Sequence, residues 1–294
     1  MSDVAITCCS TVDLSHEWLE RIGVGCLPFN YYLDGVPCKD DFGRTHSPRE
    51  LYERMRAGAV VKTSQVSVGS YLEHWRPLLK AGRDVLHVSL SSGISGTYSS
   101  ACTAQDQLRA EFPDRTVHVV DSLCASSGYG LLVDKLAELR DGGMDVDELH
   151  GWALAHRLDV QHWFFSSDLT FFVRGGRISK AAGAVGGLLK ICPVMNVPDD
   201  GTLAVKEKIR TKGRAERRVL ELMEQLAQGG ADYAEKVFIC HSECLSDAQD
   251  LGAMVTRSFP ALRGEVEYFD IGATIGCHTG PGTVALFYWG TRRP

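Results

Sequence analysis

The stretch Ser91-Ser92-Gly93-Ile94-Ser95-Gly96-Thr97-Tyr98 sets three serines, a threonine and two glycines directly after the apolar run 84–90. Two chemistries fit such a junction. A nucleophile elbow needs G-x-S-x-G, because the positions beside the serine must tolerate a very tight strand-to-helix turn. Here Gly93-Ile94-Ser95-Gly96-Thr97 brings the second glycine one place early. A serine hydrolase would also need a base, for which His278 is the best candidate, and no acid is obviously paired with it. The other chemistry is anion binding. A helix N-terminus offers unpaired N–H groups and a positive dipole end, and serine or threonine hydroxyls add donors. Gly93 and Gly96 would let a ligand approach the backbone closely. The plain alternative to both is a helix cap.

Other stretches carry reactive or charged groups. Lys62-Thr63-Ser64-Gln65 is a second hydroxyl turn before a helix. In residues 172–180, Arg174 and Arg177 flank Gly175 and Gly176. Arg177 reads as the start of a helix, where its charge opposes the macrodipole and calls for a carboxylate ligand or a structural acid. Residues 276–282, GCHTGPG, read as a glycine-rich turn that aims the His278 imidazole. Seven basic residues lie between Lys206 and Arg218, and strand alternation puts Lys206, Lys208 and Arg210 on one face. That face fits an acidic or phosphate-bearing partner, or a lysine-guarded sheet edge. Cys240-His241-Ser242-Glu243-Cys244 is the nearest approach to a metal cluster and has no second half elsewhere.

The elements that position these groups alternate in the first half. Strands are expected at 4–9, 84–90 and 116–122, and helices at 15–23 with Ser15 as N-cap, 47–58 with Pro48 at the first position, 96–112 and 127–143. This predicts a helix-covered parallel sheet over residues 1–160, with ligands at the carboxyl ends of its strands. Thr63 with Ser64, Ser91 with Ser92, and Asp121 with Ser122 are expected to share one rim. Residues 161–294 predict an α+β domain with a largely antiparallel sheet. It holds a strand at 162–168, a helix broken at Gly175 and Gly176 followed by a small-residue helix, and a hairpin over 190–210 turning at Asp199-Asp200-Gly201. A strongly amphipathic helix at 213–230 comes next.

Apolar residues make up 44% and charged residues 23% of the chain, as in globular proteins. A net charge of −6 argues against general nucleic-acid binding. The ten cysteines form no C-x-x-C pair and read as reduced, buried small hydrophobes. No basic leader and no run near the roughly 18 apolar residues of a membrane span is found, so a cytoplasmic location is expected.

Taken in order, KTSQ (62–65), SSGISGTY (91–98), RGGRIS (174–179), KICPVMNVPDDGTL (190–203) and HTGPG (278–282) resemble the DegV family, a bacterial fatty-acid-binding group whose characterised members are called FakB. STVDL (10–14) and LPFNYYLDG (27–35) fit as well, so the resemblance spans essentially the whole chain. It implies a two-domain α/β protein with a long-chain fatty acid between the domains and no further cofactor. It maps carboxylate contacts to Thr63 and Ser95, with Ser64, Ser92 and Gly96 beside them, and a supporting network to Arg177 and His278. The resemblance further implies a non-catalytic carrier that presents the acid to a fatty acid kinase for acyl-phosphate formation, feeding phospholipid synthesis. Arg210, with Lys208, maps to the kinase contact, and a transient contact with a membrane surface is expected. The chain departs from the family pattern at Cys8-Cys9-Ser10, where the family carries T-D-S, and at Val66, where a proline is usual.

Overall fold

The computed structural model describes residues 3–179 and 191–293. The first half runs β1 (Val4–Cys9), α1 (His16–Arg21), β2 (Gly25–Leu27), β3 (Asn30–Leu33), β4 (Val36–Lys39), α2 (Pro48–Arg56), β5 (Val61–Ser64), α3 (Val68–Lys80), β6 (Asp84–Ser89), α4 (Thr97–Glu111), β7 (Val117–Asp121), α5 (Ser127–Asp141) and α6 (Val146–His156). The second half continues with β8 (Val160–Ser166), α7 (Thr170–Arg174), β9 (Ile191–Asn196), β10 (Ala204–Arg210), α8 (Lys212–Leu226), β11 (Phe238–His241), α9 (Leu245–Ser258), β12 (Glu267–Asp270), α10 (Ala273–Thr279) and β13 (Thr283–Trp289).

Local chemistry starts several of these elements. The Ser15 hydroxyl accepts the Trp18 N–H and caps α1, and Ser47 does the same for α2 through the Glu50 N–H, with Pro48 in the first turn. The order β2-β1-β6-β7 forms a parallel sheet, as the alternation of strands and helices predicts. The order β10-β9-β8-β13-β11-β12 forms a second, six-stranded sheet that is antiparallel except for the β11–β12 pair. The predicted hairpin over 190–210 is the β9–β10 pair, with Gly201 at φ 73° in its turn.

One expectation changes. β5 does not join the parallel sheet; it pairs antiparallel with β3, which pairs with β4, in a separate three-stranded sheet. Thr63 and Ser64 therefore do not end a strand of the parallel sheet. Ser92 and Asp121 do share a rim, since the Ser92 N–H donates to Asp121 Oδ1 at 3.0 Å. The reason is the short Asp34-Gly35 connection, both residues at positive φ, which holds β3 and β4 as a hairpin whose free edge is open to β5.

The core is continuous between the large sheets. α5 is buried along nearly its whole length because it packs on β1 on one side and on β8, β11 and β13 on the other. Arg293 adds a polar clamp. Its guanidinium is buried and donates to the carbonyls of Val197, Pro198, Leu123 and Arg157, joining the β9–β10 hairpin to the ends of β7 and α6.

Candidate functional site

Thr63 is half-buried near the end of β5, and α10 approaches it from the second half. Thr63 Oγ1 lies 2.8 Å from His278 Nε2. His278 is not in a turn, as the glycines around it predict, but in the last turn of α10; the turn begins only at Gly280. α10 is set by two buried carboxylates distant in sequence. Asp13 Oδ1 accepts the Gly272 N–H at 3.0 Å, and Asp40 accepts the Ala273 and Thr274 N–H groups at 3.2 and 3.1 Å. Ser10 donates to Asp40, and Ser126 donates to Asp13. Burial pushes both carboxyls above the usual carboxylate range, Asp13 furthest. These acids complement the unpaired donors and dipole of the helix start.

The imidazole is a neutral group. Burial, helped by the Arg177 charge, depresses its pKa to about 4. Among the described residues its Nδ1 has no hydrogen-bond partner, and it faces Gly175 so closely that a Cβ there would lie 2.3 Å away. A buried orphan acceptor costs less than a buried orphan N–H, so the proton belongs on Nε2. The imidazole then donates to Thr63 Oγ1, and the threonine O–H is left free to donate elsewhere. The sign of the pH dependence follows. The unfolded chain takes the proton first, so stability from this residue is complete above about 6.5 and is lost as pH falls through about 4. An NMR titration of the His278 ring is expected to show the Nε2–H tautomer and no inflection near neutrality; an inflection close to 6.5 would overturn this assignment.

Among the described residues Arg177 does not meet the acid that its position calls for. Its guanidinium donates to the Ile94 carbonyl at 3.1 and 3.3 Å and to the Gly175 carbonyl at 2.6 Å. Carbonyls hold its position without neutralising it. Arg177 follows α7 through a turn, and the predicted small-residue helix beyond it lies outside the described residues.

Thr63, Ser95, Gly96, Arg177 and His278 all line one cavity of about 230 Å³. The rest of its described wall is largely apolar, including Phe29, Leu90, Phe164, Phe172, Ala285 and Phe287. Ser95 Oγ accepts the Thr97 N–H at 3.2 Å, so it contributes to the start of α4 and still has its own proton to donate. Gln65, the last residue of the KTSQ motif, bonds Ser100 at 2.7 Å and runs against Gly96, where a Cβ would come 2.2 Å from its Oε1. A side chain at 96 would push Gln65 away from Ser100.

Two expected contacts fall elsewhere. Ser64 and Ser92 do not line the cavity; Ser92 is exposed and acts through its backbone N–H to Asp121. Ser91 instead donates to the Gly201 carbonyl at 2.8 Å and ties the serine loop to the β9–β10 hairpin. Cys9, in place of the family aspartate, is fully buried against the Tyr71 hydroxyl and does not reach the cavity. Lys206, Lys208 and Arg210 are exposed on one face of β10, the edge strand of the six-stranded sheet. Glu207 on the other face takes Arg218 in a two-pronged pair.

Among the described residues the hydrolase geometry is not formed. His278 Nε2 is engaged with Thr63, and its Nδ1 meets no carboxylate. A triad needs the base bonded to the nucleophile on one side and to an orienting group on the other. Among the described residues no helix is long and apolar enough to cross a membrane.

Comparison with known proteins agrees with this architecture. The family model described as "Uncharacterised protein, DegV family" matches residues 3–290. A DegV domain-containing protein of Clostridium perfringens is 31% identical over 286 residues, covering 97% of each chain. A solved DegV family protein from Thermus thermophilus, described for its fatty acid binding, superposes with a TM-score of 0.87 at 28% identity, over 99% of this chain and 100% of its own. A Thermotoga maritima protein whose structure "reveals fatty acid binding function" gives 0.83 at 26% identity, over 99% and 100%. The chain belongs to the DegV family.

Proposed function

We propose that this protein binds a long-chain fatty acid in the cavity, holds its carboxylate at Thr63 and Ser95, and presents it to a fatty acid kinase. The observation that carries the reading is the Thr63–His278 pair at an apolar cavity, beside an arginine that meets no acid among the described residues; with the imidazole proton on Nε2, the threonine proton is free for a ligand. Burying about a dozen methylenes contributes roughly 10 kcal/mol before association costs, so the tail supplies affinity. The head group needs only to avoid an unpaired buried charge. Two hydroxyl donors and the N-terminus of α4 meet that need, and the Arg177 charge favours the ionised acid. Hydroxyls also hold a carboxylate less firmly than a bidentate arginine, which suits a group passed to another enzyme. Fatty acid binding by the Thermus and Thermotoga relatives supports the ligand class.

Native mass spectrometry of the purified protein tests the ligand: a co-purifying mass equal to a fatty acid is expected, and a protein that neither carries nor takes up fatty acids sinks the reading. The kinase step makes a separate prediction. Lys208→Ala with Arg210→Ala is expected to lower acyl-phosphate formation about fivefold or more by a cognate kinase. Fatty-acid affinity should stay unchanged, because this exposed face lies outside the cavity. Equal rates for variant and parent would remove the basic strand from the kinase contact.

A further inference from the structure

We infer that the cavity is suited to a fatty acid bearing a hydroxyl or oxo group within its chain, with Thr283 as that group's partner; this rests on the fatty-acid reading above. β13 turns Thr283, Ala285 and Phe287 to the cavity at alternate positions. The last two are apolar, as an acyl chain requires. Thr283 is 1% exposed, and among the described residues its hydroxyl has no hydrogen-bond partner. Its backbone does not need that hydroxyl. The Thr283 N–H donates to Ser242 Oγ at 2.8 Å, and its carbonyl accepts the Ser242 N–H at 3.0 Å and the Cys244 thiol at 3.3 Å.

Two other polar atoms on the described cavity wall also lack a well-aligned partner among the described residues, Thr274 Oγ1 and His278 Nδ1. Thr274 faces the Asp40 carboxylate, which already takes its N–H. His278 belongs to the head-group pair. The Thr283 hydroxyl is assigned to neither. Valine has the same shape, favours strands and would line an acyl tunnel without an orphan group. A buried hydroxyl without a partner is a cost unless the ligand supplies one. An in-chain hydroxyl can donate to Thr283 or accept from it, and an oxo group can accept.

The test is a binding series of monohydroxylated octadecanoic acids, differing in hydroxyl position, against octadecanoic acid itself. One position is expected to bind about three- to tenfold tighter than its neighbours, the size of one net hydrogen bond. Thr283→Val should abolish that preference while binding the plain acid as well or better, and Thr283→Ser should retain it. If the plain acid binds but no position is preferred, or if the preference survives in Thr283→Val, the proposal is overturned. A water held by Thr283 would give that first result. If no member of the series binds, the fatty-acid reading itself fails, and this inference falls with it.

Discussion

Replacing Thr63 by valine is expected to weaken fatty-acid binding by roughly ten- to a hundredfold while leaving the fold intact. A hydrogen bond to a charged group contributes about 1.5–3 kcal/mol, and each 1.4 kcal/mol is a tenfold change. Valine fits a strand, so β5 should keep its pairing with β3. The loss is double. The carboxylate misses one donor, and the His278 Nε2–H that Thr63 accepts becomes a buried orphan. Thr63→Ser keeps the hydroxyl and should stay within a few-fold of the parent. Ser95→Ala should cost less than Thr63→Val, since the Thr97 N–H it releases lies at a helix start. Calorimetric titration with a long-chain acid decides the matter. Affinities within threefold for Thr63→Val and Ser95→Ala would remove these hydroxyls from the head-group site.

The second large effect is on stability. Asp40→Ala is expected to destabilise the protein by about 2–4 kcal/mol, read as a lower urea midpoint with an unchanged slope. The substitution strips the Ala273 and Thr274 N–H groups and the Ser10 hydroxyl of their acceptor in a buried setting. It also frees the start of α10, whose other end carries His278, so fatty-acid affinity should fall as well. The pH dependence has a defined sign. Asp40 titrates above its unfolded value, so the folded form binds the proton more tightly. Its contribution is largest below the ordinary carboxylate range and declines as pH rises towards the folded pKa. The deficit of Asp40→Ala should therefore shrink with rising pH across that window. A deficit under about 1 kcal/mol throughout would mean that α10 is held mainly by its packing.

Much of this site was legible in the chain itself because its parts are local. The caps at Ser15 and Ser47 are written within four residues of the helices they start, and the β9–β10 turn within three. Lys206, Lys208 and Arg210 fall on one exposed face because strand alternation is a property of the backbone. The order of the Thr63, Ser95, Arg177 and His278 motifs pointed to the family without any knowledge of their distances.

What the sequence by itself determined, then, is the class of elements, the family, and which residue types converge. The tertiary structure decided how they converge. It placed β5 in a separate antiparallel sheet, because strand partners are chosen by pairing across the chain and not by a strand's own residues. It made GCHTGPG the end of a helix, because the acids that stabilise that helix, Asp13 and Asp40, come from 259 and 233 residues away. It gave Arg177 carbonyls where local charge logic asked for an acid. It also left Thr283 buried with a hydroxyl that nothing in the described protein uses. The β5 pairing, the Asp13 and Asp40 bonds and the Arg177–Ile94 bond are long-range contacts, and no local pattern of propensity or spacing encodes a partner on a distant segment.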